Sequence, residues 1–71
     1  MEKFLPTMIE FLEVENVELN DSLSSFESWD SMTVLMVIDF SNSEYGVTLS
    51  ADEIENTETI KGLKELIESK L

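Results

Sequence analysis

Seventy-one residues with no cysteine and no histidine make one small domain that has neither disulfides nor thiolate or imidazole ligands for a transition metal. Its stability must rest on the packing of Leu, Ile, Val, Phe and Met alone. Sixteen carboxylates against four lysines give a formal net charge of −12, which excludes nucleic acid and an anionic membrane surface as partners and favours a basic protein.

Along the chain, Phe4, Leu5, Met8, Ile9, Phe11 and Leu12 recur at helical spacing and predict a first helix over about 3–14. Pro6 fits its first turn, where the backbone amides have no partner inside the helix. Glu2, Lys3, Glu10 and Glu13 run through the apolar pattern, unlike a signal peptide. No apolar run approaches the roughly 20 residues of a membrane span. The expectation is a cytoplasmic, monomeric protein with no membrane association.

Residues 15–30, ENVELNDSLSSFESWD, show neither helical nor alternating periodicity and predict a long loop. Val17, Leu19, Leu23, Phe26 and Trp29 are expected to pin it to the core. A loop of this length in so small a domain is usually functional or disordered, and five apolar anchors argue against disorder. The next helix is expected over 31–44, with Asp30 as its N-cap and Gly46 as its left-handed C-cap. Its apolar run from Val34 to Ile38 covers the helix all round. Placing Leu35, Ile38 and Tyr45 inward would leave Met32, Met36, Asp39 and Phe40 outward. Ser41 and Asn42 then fall near the inner face, an unexplained polarity.

An extended link, VTL, leads to Ser50-Ala-Asp-Glu53, a capping box that opens a short helix over 51–56. The last helix is expected over 59–70, with Ile60, Leu63, Leu66 and Ile67 inward. Gly62 weakens it by about 1 kcal/mol relative to Ala, which suggests close packing against another helix. The expected fold is therefore all-α: a small antiparallel bundle of three main helices plus one short one, in a single domain over 1–71.

Few residues are left to carry chemistry. Without His or Cys, neither a Ser-His nor a Cys-His nucleophile pair can be assembled. With only Gly46 and Gly62 there is neither a glycine-rich phosphate loop nor an EF-hand loop. The chain is not expected to be an enzyme, and no metal site is expected. Ser31, just after the cap Asp30, sits where the partial positive charge of a helix start favours an anion such as a phosphate ester. Taken alone, Asp-Ser before an apolar run is also a common plain helix start.

ESWDSM followed by an apolar helix, then EYGVTLS, a short acidic helix and TIKGLKELI, resembles the acyl carrier protein family over nearly the whole chain. The family's Asp-Ser-Leu motif reads Asp30-Ser31-Met32, and the interval from Ser31 to Tyr45-Gly46 matches. The resemblance implies that Ser31 carries 4′-phosphopantetheine, delivered from coenzyme A by a phosphopantetheinyl transferase with magnesium. The thiol of that group would hold an acyl or aminoacyl group as a thioester and present it to loading and processing enzymes with basic or apolar docking patches. Asp30 would cap the helix and assist the transferase, and Met32 would be an apolar contact for partners.

The second helix departs from the family's pattern. Fatty-acid carriers place several glutamates along it, whereas MTVLMVIDFSNSE has only Asp39 and Glu44. Met32, Met36, Asp39 and Phe40 are the expected partner-recognition residues, in a specialised biosynthetic pathway rather than primary fatty-acid synthesis. Phe11, Leu35, Ile38, Leu66 and Ile67 would either sheath an acyl chain or form a filled core. The alternative is an interaction module that keeps the carrier fold without the modification.

Overall fold

The chain folds where its capping residues and apolar periodicities direct it. In the computed structural model, which describes residues 2–71, α1 spans Phe4–Leu12, α2 Ser31–Tyr45, α3 Ala51–Glu55 and α4 Ile60–Ser69. The described residues form no strand, only an isolated bridge between Ser22 and Thr59. None of the helices is long and apolar enough to cross a membrane. The protein is all-α, a small bundle about 26 × 24 × 20 Å across.

Helix α1 is shorter than the apolar stripe predicts. Glu13 adopts a left-handed conformation, φ 57°, and its amide and that of Val14 fold back on Glu10 O and Ile9 O. Helix α2 ends in the same way, but on the residue suited to it. Gly46 takes φ 67° and closes onto Asn42 O, where a Cβ would carry a penalty. The capping box of α3 is complete: Ser50 Oγ accepts from Glu53 N at 3.2 Å, and Glu53 Oε1 accepts from Ser50 N at 3.0 Å.

Two ion pairs show how the helices run. Lys3, just before α1, meets Glu44 near the end of α2 at 2.9 Å, while Lys70, just after α4, meets Glu53 in α3 at 2.9 Å. The end of α1 lies at the start of α2, where Ser28 Oγ donates to Glu13 Oε2 at 3.1 Å. Helices α1 and α2 therefore run antiparallel, and the end of α4 is tied to α3. The core between them is filled by Phe4, Met8 and Leu12 of α1, Val34 and Val37 of α2, Ile54 of α3, and Ile60, Leu63 and Ile67 of α4. Val47 and Leu49, in the link before α3, are buried among them.

The long loop is ordered by its backbone as well as by its apolar anchors. Leu19 O accepts from Lys61 N at 2.8 Å and Asp21 O from Ile60 N at 3.1 Å, so the loop satisfies two first-turn amides of α4 that have no partner inside the helix. In return Leu23 N donates to Glu58 O at 2.9 Å. Val17 and Leu23 are buried as expected, and Phe26 and Trp29 pack half-buried on the core. Leu19 is a correction: its side chain is exposed, and its carbonyl does the anchoring.

Ser41 is fully buried (0% exposed) in α2, and its Oγ has no hydrogen-bond partner. A buried hydroxyl without a partner loses hydration and gains nothing in exchange. Ser41→Ala is therefore expected to raise stability by about 1 kcal/mol, read as a higher urea midpoint at unchanged slope. A lower midpoint would show that this hydroxyl is in fact bonded.

Candidate functional site

Asp30 sets the geometry of the site. Its extended backbone, φ −144° and ψ −176°, ends the loop and turns its carboxylate onto the first turn of α2. There Oδ1 accepts from Thr33 N at 2.9 Å and lies 3.2 Å from Thr33 Oγ1. Thr33 is buried, and its hydroxyl donates to Ser28 O at 2.5 Å. One threonine thus ties the end of the loop to the start of the helix. Thr33 is not among the site residues expected from sequence; its one signal there is a threonine three residues after a capping aspartate.

The hydrogen bond from the Thr33 amide, with the Thr33 hydroxyl dipole close by, holds the Asp30 carboxyl below the usual carboxylate range. The charged form is thus favoured in the folded state. The stabilisation is present above the unfolded value of about 3.9 and is lost as pH falls through the lower folded value. The difference in urea midpoint between the wild type and Asp30→Asn is expected to stay constant above about pH 5 and to close below pH 4. A constant gap down to pH 2.5 would assign the effect to packing instead.

Ser31 is the first residue of α2 and is exposed, and its Oγ makes no hydrogen bond among the described residues. Met32 beside it is 67% exposed. From Met32 a strip runs along the outer face of α2 at helical spacing: Leu35 (63% exposed), Met36 (37%) and the exposed Asp39. Leu35 was expected inward, with Ile38 and Tyr45. Ile38 and Tyr45 do pack against the core, but Leu35 lies outside, and the inner face is built on Thr33, Val34, Val37 and Ser41. Phe40 is the converse correction. Expected outward, it is half-buried and packs edge-on against Phe11, with ring centroids 6.1 Å apart, and against Tyr45, at 5.4 Å. Both corrections have one cause: a helix apolar all round does not signal which side faces inward.

Two concave surfaces are lined by residues close to Ser31 in sequence. An open groove of about 560 Å³ lies between the end of α1 and the start of α2, with Phe11, Met32 and Met36 among its lining residues and Glu10, Glu13 and Asp30 supplying charge. A second hollow of about 370 Å³ lies where Leu23, Trp29 and Ile54 meet Glu55, Glu58 and Thr59. Of the residues considered for an acyl sheath, Ile67 is fully buried, Phe11, Ile38 and Leu66 pack on the core, and Leu35 is outside. Apart from Leu35, this group serves as packing.

No protein-family model, curated protein or solved structure matches the chain.

Proposed function

We propose that the chain is an acyl carrier whose Ser31 is the attachment point of 4′-phosphopantetheine. The observation that carries this reading is the placement of Ser31: exposed at the start of α2, with an unengaged hydroxyl. The position suits a phosphodiester because the helix start carries partial positive charge. The resemblance around Asp30-Ser31-Met32 supplies the identity of the group.

Asp30 caps and orients: its Oδ1 is an acceptor for Thr33. The base and the magnesium ion belong to the transferase. In that step a bond forms between Ser31 Oγ and phosphorus as the pyrophosphate link of coenzyme A breaks. The nucleotide half leaves, and the hydroxyl proton passes to the transferase. The bound group supplies a thiol for thioester formation at the end of a flexible arm. The hollow beside Trp29, only two residues from Ser31 and partly apolar, would shelter a short acyl group.

The test is incubation of the wild-type chain with coenzyme A, magnesium and a broad-specificity phosphopantetheinyl transferase. The reading expects the intact mass to rise by one phosphopantetheinyl group. An unchanged mass under conditions that modify a control carrier would overturn it. That result would favour the second reading, an unmodified interaction module, whose support is the exposed strip of Met32, Leu35 and Met36.

A further inference from the structure

The groove between the end of α1 and the start of α2 is bounded on one side by the neighbours of Ser31, namely Asp30 and Met32. An enzyme that brings its catalytic groups to Ser31 Oγ therefore works beside this groove. Its apolar part comes from both helices, with Phe11 from α1 and Met32 and Met36 from α2. Its charge is of one sign, from Glu10 and Glu13 of α1 and Asp30 of the loop end. None of the residues lining it is a cation. Lys3, Lys64 and Lys70 are each within reach of a glutamate elsewhere, and Lys61 lies on α4.

We infer that this groove is the docking surface for the transferase that acts on Ser31, so that recognition extends from α2 onto α1. The complementary segment of the transferase carries an apolar side chain that seats on Met36 and Phe11, flanked by Lys or Arg that pair with Glu10 and Glu13. A second copy of this chain is a poor occupant, because each carries a net charge of −12 and like charges facing one another oppose association. The methionines suit this role because their flexible thioethers adapt to a partner's side chain.

The inference rests on the modification of Ser31, and steady-state kinetics of phosphopantetheinyl transfer to the purified chain test it. Glu10→Lys changes the groove, while Glu65→Lys makes the same charge change at an exposed position of α4 outside the groove. Glu10→Lys is expected to raise the KM for the chain about tenfold at low ionic strength, with kcat within about twofold, and the difference should narrow with salt. Glu65→Lys is expected to change KM much less. Met36→Ala should also raise KM, with little dependence on salt.

Equal effects of Glu10→Lys and Glu65→Lys would overturn the inference in favour of general charge attraction. Unchanged KM values for Glu10→Lys and Met36→Ala would overturn it too, as would concentration-dependent dimerisation of the wild type abolished by Met36→Ala. A wild type that is modified with the same KM across the variants contradicts the docking surface alone. A wild type that is never modified contradicts the assignment of Ser31 and the docking surface with it.

Discussion

Gly62→Ala is expected to destabilise the protein by about 2 kcal/mol or more, although it replaces a poor helix former by the best one. By propensity alone the change, in the first turn of α4, would be worth about 1 kcal/mol in the opposite direction. The surroundings decide the sign. A Cβ on Gly62 would overlap Thr57 O and stand 3.1 Å from the carbonyl carbon of the same residue. These are backbone atoms, so a rotamer change cannot relieve the overlap. The connection between α3 and α4 would have to move. That connection also places Thr59, whose Oγ1 accepts from Gly62 N at 3.0 Å, and Glu58, whose carbonyl holds the long loop through Leu23 N.

For a chain of this size, total stability is on the order of 4–10 kcal/mol, so the loss would be a large fraction of it. Urea denaturation of the two proteins distinguishes the cases. A lower midpoint supports the close approach, whereas a higher one would mean that Gly62 is only a weak point in a helix. The close approach anticipated at this glycine exists, but to the turn entering α4 rather than to another helix.

The features readable from sequence were those that a few neighbouring residues specify. Asp30, Ser50 with Glu53, and Gly46 act locally, and each caps the helix that its pattern announces. The inward stripes of α1 and α4 were readable because polar residues mark their outer faces. Helix α2 has no such contrast, so Leu35 and Phe40 were placed on the wrong sides. The ordering of the loop was hidden for a different reason. Leu19 O and Asp21 O bind the first turn of α4 through the backbone, and a carbonyl leaves no signature in the residue type. The same holds for Ser28 O, which receives the Thr33 hydroxyl.

Ser31→Ala has the largest expected effect on function: complete loss of phosphopantetheinyl transfer with the fold intact. Ser31 Oγ makes no hydrogen bond among the described residues, and the cap of α2 is provided by Asp30 acting on Thr33. Removing an exposed hydroxyl at such a position should shift stability by no more than about 0.5 kcal/mol. Loss of transfer therefore cannot be ascribed to unfolding, provided the helical circular dichroism and urea midpoint of the variant match those of the wild type. Ser24, Ser25 and Ser28 lie in the loop just upstream and serve as internal controls, since a transferase that acted on any accessible serine would still modify the variant.

The most direct measurement is fragmentation mass spectrometry of the wild-type chain after incubation with the transferase, coenzyme A and magnesium. The account predicts one phosphopantetheinyl group per chain, on fragments that contain Ser31 and on none that end at or before Asp30, with no group on Ser31→Ala. A group found on Ser28 or another serine, or a Ser31→Ala protein that is still modified, would contradict it.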